Sequence, residues 1–294
     1  QSPDRPAASQ VVIGSGTAAS CQSQDAANAL STAVAAGGAI TFNCGEAPVV
    51  MTVNTNATDQ TVTIDGGGRI TLSGEDTRQL FYLSGSARLT LNNITLADGA
   101  GFAGAAIGIA SPQASATVNN SFLISHDSGT SNGGAISNVG TLVINNSSLG
   151  ANRSGNFGGA IFNNGGTVTI KNTTIINNDA KQGAGIWLSE GTVTLENSAI
   201  RTNRATGEGG GLHIDVGTVT ITNTTFFDNQ ATDGGGIYMR GTALTITNAT
   251  FNRNRADSGG ALWNLAGTTK VKNTIFNDSR NTNDSGSSLN CDGP

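Results

Sequence analysis

From Gly133 to about Ser279 the chain copies itself every 25 or 26 residues, and that period leaves few folds open to it. The quartets GGAI (133–136), GGAI (158–161), GAGI (183–186), GGGL (209–212), GGGI (234–237) and GGAL (259–262) mark successive copies. Each is followed by a glycine-bounded turn, an alternating strand such as TVTIKN (167–172) or TVTITN (218–223), and a polar turn. A unit this short cannot bury its own apolar face and must stack on the next one, as in a solenoid.

What stacks can be read column by column, because side chains alternate faces along a strand. Val168, Val193, Val219 and Leu244 form one apolar column; Ile170, Leu195, Ile221, Ile246 and Val271 form a second. A third runs through Ile136, Ile161, Ile186, Leu212, Ile237 and Leu262, and a fourth through Leu149, Ile175, Ile200, Phe226, Phe251 and Phe276. All four point inward. The strand positions between them carry Thr (Thr167, Thr169, Thr192, Thr194, Thr218, Thr220, Thr245), which suits a pleated, half-buried surface. No segment of the repeat has a helical period.

Two polar columns are equally regular: Asn146, Asn172, Asn197, Asn223, Asn248 and Asn273, then Asn152, Asn178, Asn203, Asn229 and Asn254. An amide at a bend bonds its own turn and the amide of the coil above, and Asn tolerates the left-handed backbone that bends require. These columns are therefore expected to be ladders rather than rows of ligands. The predicted architecture is all-β, a right-handed parallel β-helix of about 25 residues per coil, with coils about 4.8 Å apart.

Ahead of the repeats, residues 1–20 read as an extended tail containing the apolar triplet Val11, Val12 and Ile13. Residues 21–45 hold a predicted helix: Ser23 caps it, Asp25 sits in its first turn, Leu30 and Val34 share a face, and Gly37 and Gly38 stop it. Its expected role is to cover the first coil, since an open β-helix end exposes core and strand edges. From 46 to 279 the strand pattern is continuous, with Asn93 and Asn120 extending the ladder toward the N-terminus, so one rod is expected. Residues 280–294 run out in polar and small residues.

Composition narrows the function. Net charge is -5 with basic residues scattered, which argues against nucleic acid as a partner. No apolar run approaches the eighteen or so residues of a membrane span. No charged, apolar leader opens the chain, so any signal peptide is expected to have been removed. Cys21 and Cys44 bracket the helix; a disulfide there fits an extracellular chain, and a reduced pair fits a cytosolic one. Cys291 is left over, which suggests pairing with another molecule or an inert thiol. Sequons such as Asn172-Thr-Thr and Asn223-Thr-Thr fall in the first ladder and read as by-products of the repeat.

GGAI at 133–136 and 158–161, with FFDN at 226–229 and FNRN at 251–254, resembles the GGAI and FxxN repeats of the chlamydial polymorphic outer-membrane proteins. More broadly, IDGGGRITLSG (64–74) and the Cys21 to Cys44 cap resemble secreted bacterial β-helix proteins of the pectate-lyase-like superfold. In the chlamydial family the repeats form the passenger of a surface autotransporter associated with adhesion. Enzymes of the superfold are polysaccharide lyases and glycoside hydrolases, and the NxD, DD, GHG and RxK pattern of the polygalacturonases is absent here.

Candidate chemistry is sparse. His213 and Asp215, with Glu208 nearby, form the one acid-base cluster in view; the other reading is a solvated strand face. No His/Cys cluster or Asp-rich nonapeptide implies a metal or cofactor. Arg201, Arg204, Asp228, Asp233, Arg240, Arg253, Arg255 and Asp257 make a mixed-charge band, read either as a salt-bridged solubilising face or as a carbohydrate or protein contact. The Thr rows resemble ice-binding surfaces, though Ala243, Val143 and flanking charges interrupt them. The leading expectation is a secreted or cell-surface, non-catalytic β-helix with a structural or adhesive role. It would self-assemble head to tail through Val11–Ile13 and Cys291, with a surface glycan or protein as receptor; a carbohydrate-active lyase or hydrolase is the alternative.

Overall fold

The computed structural model describes residues 10–53, 56–281 and 291–292. It is a parallel β-solenoid of about 11 turns, a rod on the order of 50 Å long at strand spacing. Every strand pairing is parallel and joins one coil to the next. Thr141 to Asn145 pairs with Thr167 to Lys171, which pairs with Thr192 to Glu196. A second, 10-stranded sheet carries the short strands Thr174–Ile176, Ala199–Arg201 and their equivalents.

Turn chemistry explains the repeat's two motifs. The first glycine of each quartet (Gly133, Gly158, Gly183, Gly209, Gly234, Gly259) has a left-handed backbone, with φ between 60° and 71°. At Gly158 a Cβ would come within 2.4 Å of the Ile161 carbonyl oxygen, so conformation and space both demand glycine there. In FxxN, Phe226 and Asn229 both point inward on either side of a left-handed residue, Asp228 at φ 54°. The first asparagine column is left-handed as well, from φ 48° at Asn273 to 54° at Asn248.

The four predicted apolar columns form the core: Val168, Ile170, Ile161 and Ile175 are each 0% exposed. A fifth inward column, not foreseen, runs through Asn138, Asn163, Leu188, Ile214 and Met239 in register. Val271 departs from its column. It is in register with Ile246 yet is 45% exposed. Phe276 is half-buried and stacks on Phe251 at 5.1 Å.

At the other end, strand β1 (Gln10–Ile13) precedes helix α1 (Ala18–Cys21), helix α2 (Gln24–Ala36) and strand β2 (Gly38–Phe42). The Ser23 hydroxyl accepts from the Ala26 N–H, and the Gly37 N–H closes the last turn on the Ala33 carbonyl. Leu30 and Val34, both 0% exposed, seat α2 on the end of the core; burying each stabilises by about 2 kcal/mol. A disulfide joins Cys21 to Cys44 across α2, a closure that contributes about 3 kcal/mol in the chain-entropy description.

The N-terminal tail differs from expectation. Its apolar triplet is not a free donor strand: Val11 pairs with Ile40 and Ile13 with Phe42 of the same chain, and Ile13 is 2% exposed. Alternation drives this, since Val11 and Ile13 continue the inward face of β2. Residues 18–20, placed in an extended tail by the sequence pattern, form α1 together with Cys21. The C-terminal stretch also contributes strands, Arg280–Asn281 and Cys291–Asp292, the latter pairing with Leu262 and Trp263. Residues 1–9 and 282–290 lie outside the described residues, as does the Cys291 side chain.

Candidate functional site

The two asparagine columns differ in kind. Asn152, Asn178, Asn203, Asn229 and Asn254 are at most 1% exposed. Each Nδ2 donates to the next Oδ1, at 2.9 to 3.0 Å from Asn152 through to Asn254. The same Nδ2 groups also donate to carbonyls of the preceding coil, as Asn203 does to Ile175. His126 and Ser279 terminate this buried spine: the His126 N–H donates to Asn152 Oδ1, and the Asn254 N–H donates to Ser279 Oγ. The other column, Asn146 to Asn273, is exposed, with amide contacts at Asn172–Asn146, Asn223–Asn197 and Asn248–Asn223. Its asparagines primarily serve left-handed bends. A third ladder of hydroxyls (Ser121, Ser147, Thr173, Ser198) went unread because Ser and Thr alternate in it.

His213 is not on a solvated face. It is 2% exposed and stacked between Trp187, at 3.6 Å between ring centroids, and Tyr238, at 4.7 Å. Phe157 extends the stack beyond Trp187. Register aligns Phe162, Trp187, His213, Tyr238 and Trp263 as one outward column. The quartet turns cover it: the position of a Gly209 Cβ lies 2.7 Å from the His213 Cβ, so a turn without side chains can lie flat against the rings. Sequence comparison missed this column because its members share a ring but not an identity.

The expected acid-base pair does not form. No hydrogen bond or ion pair joins His213 to Asp215 among the described residues; Asp215 instead pairs with Arg240 at 3.1 Å, and His213 Nδ1 is buried without a partner. Burial holds the His213 imidazole down at about 3, against a weaker opposing hydrogen bond to the Glu208 backbone. Glu208 is pushed upward, first by burial and then by Asp233 on the next coil, while Gln182 donates to its carboxylate. His126 is likewise held at about 3 by burial; its Nδ1 accepts from Gly99, so its Nε2 carries the proton toward the Leu96 carbonyl. Among the described residues no group of three His, Cys, Asp or Glu side chains is placed to hold a metal.

These lowered values fix a pH dependence. Both imidazoles are neutral in the fold but protonate near 6.5 when unfolded, so the unfolded chain binds more protons between about 3 and 6.5. Stability is full above pH 6.5 and falls as pH drops through that window. Going from pH 6.5 to 5 removes roughly 2 kcal/mol per histidine. Urea unfolding at pH 7 and pH 5 should show the loss, and His213→Phe, which keeps a ring in the stack, should remove about half of it.

The mixed-charge band divides: Arg240 turns to Asp215, whereas Arg204 and Arg255 lie on an open face. Bridges between coils align Asp127, Arg153, Asp179, Arg204, Gln230, Arg255 and Arg280 in one outward column. Between its members lies an open groove of about 580 Å³ lined by Arg153, Ser154, Gly155, Asp179, Ala180, Lys181, Arg204 and Thr206. Arg255 pairs with Asp228 at 3.8 Å, Arg280 pairs with Asp278, and Arg153 stands 4.0 Å from Asp127. Among the described residues Lys181, Arg201, Arg204 and Arg253 enter no ion pair; Arg253 lies over the Phe227 ring.

With these coils in view, the motif match has a structural meaning. Residues 223–240 match the Chlamydia polymorphic membrane protein (Chlamydia_PMP) repeat. The matched stretch begins at one left-handed asparagine, includes the inward pair Phe226 and Asn229, and ends beyond the quartet Gly234–Ile237. No curated protein and no solved structure matches the chain. The chain is thus a β-helix repeat protein resembling the chlamydial polymorphic membrane protein passengers, and no described helix is long and apolar enough to cross a membrane.

Proposed function

We propose that this chain is a secreted or surface-displayed, non-catalytic β-helix that acts as an adhesive or structural rod. The observation that carries the reading is where its reactive groups go. The buried amides and both imidazoles are taken up in bonds and stacks between coils, whereas among the described residues Lys181, Arg201, Arg204 and Arg253 enter no ion pair. The Cys21–Cys44 bond supports an oxidising location, and the matched repeat supports display at a cell surface. In a test, labelled full-length protein should bind cells saturably and release neither reducing ends nor unsaturated uronates from a panel of neutral and acidic polysaccharides. Catalytic release of either product would replace this reading with the lyase or hydrolase one.

A further inference from the structure

The arginine column has a rhythm that the apolar repeat does not impose. In the bridge column the sequence is cation, carboxylate, cation, amide, cation: Arg153, Asp179, Arg204, Gln230, Arg255. All five side chains are exposed, and each follows a buried Asn of the spine, so this position is set by the exterior rather than by packing. Successive cations stand two coils apart, about 10 Å at strand spacing. Between the first two, the small residues Ala180 and Gly155 help line the groove, which leaves room for a ligand between the guanidinium groups, and Lys181 adds a further cation to the lining.

We propose that this flank binds a linear anionic polysaccharide carrying one carboxylate or sulfate per disaccharide. Each acidic sugar would lie against Arg204, or against Arg153 or Arg255 in exchange for their long contacts to Asp127 and Asp228, where a guanidinium can grip a carboxylate or sulfate through two parallel N–H donors. The intervening uncharged sugar faces Asp179 or Gln230, whose oxygens accept hydroxyl and amide protons. That alternation explains why a carboxylate stands inside an otherwise cationic groove, where a uniformly charged ligand would be repelled by it. Arg280 follows Arg255 on the very next coil, so the alternating stretch ends at Arg255. Duplex DNA fits poorly: its charges recur about every 1.7 Å along the axis, no aromatic ring lines the groove to stack on bases, and the chain as a whole is acidic.

This inference rests on the reading of the rod as a recognition surface and names its ligand class. The test titrates the full-length protein by calorimetry with a hyaluronan dodecasaccharide, which has one carboxylate per two sugars. Polygalacturonate, charged on every sugar, dextran and a DNA duplex serve as comparisons. Hyaluronan should bind most tightly, weaken as sodium chloride rises, and lose at least tenfold in affinity in Arg204→Ala and further in the double variant with Lys181→Ala. Both side chains are exposed and outside the core, so unchanged circular dichroism and urea midpoints would show that folding is intact. Equal binding of dextran, tighter binding of polygalacturonate or DNA, or unaltered affinity in the double variant would overturn the proposal. Hyaluronan binding in solution without attachment to cells would leave the groove standing and remove the adhesive role; attachment to cells without hyaluronan binding would do the reverse.

Discussion

Asn203→Ala should destabilise the rod by about 4 kcal/mol, while Asn197→Gly, six residues earlier in the same coil, should change stability by less than about 0.5 kcal/mol. Asn203 is 0% exposed. Its Oδ1 accepts from both the backbone and side-chain nitrogens of Asn178, and its Nδ2 donates to Asn229 Oδ1 and the Ile175 carbonyl. Removing it strips those buried partners at once, at about 1 to 3 kcal/mol for each group left unsatisfied. Asn197 is exposed, and its principal duty is a backbone φ of 51°, which glycine adopts freely. Asn197→Ala should therefore be worse than Asn197→Gly, by about 1 kcal/mol. Urea midpoints of the three variants check this ordering, and equal losses at positions 203 and 197 would show that the two columns do not differ as described.

The second large effect is expected at Gly158. Its φ of 70° strains any side chain, and a Cβ would lie 2.4 Å from the Ile161 oxygen and 2.8 Å from the Phe162 nitrogen. Since both neighbours are backbone, neither can rotate away. Left-handed strain of about 1–2 kcal/mol adds to overpacking of similar size, so Gly158→Ala should lose about 3 kcal/mol. Gly165 is the control. It shares the conformation, at φ 86°, but has nothing within 4 Å of a Cβ, so Gly165→Ala should lose only about 1 kcal/mol. A similar loss at both sites would mean that conformation alone, not the crowding beneath the quartet, keeps glycine there.

The comparison of these sites shows how far the sequence could be read. Stacking was legible because residues of one kind recur in register: Ile161, Ile186 and Leu212 are aligned neighbours in the fold as in the repeat. The cap was legible too, since Ser23, Asp25 and Gly37 are local signals that need no tertiary context. Burial of the polar columns was not legible. Asn178 and Asn172 look alike in the repeat, and only the left-handed Asn177 ahead of Asn178 turns its side chain inward. His213 was misread because the outward face of a strand is normally wet, whereas here the glycine turn folds back over it. The β1 strand was read as free because its partner β2 lies beyond two helices, a pairing that no local pattern announces.

The same separation of inner and outer columns underlies the functional reading. Groups that pack or bond between coils are spent on the rod itself, and the arginines that follow Asn152, Asn203 and Asn254 are what it presents to a partner. Hydrogen–deuterium exchange with and without hyaluronan dodecasaccharide tests that division directly. The account predicts added protection confined to residues 153–155, 179–182, 204–207 and the positions around Gln230 and Arg255, along the same column. Protection appearing instead around His213 and Asp215 or at the Val271 end, or none anywhere, would contradict it.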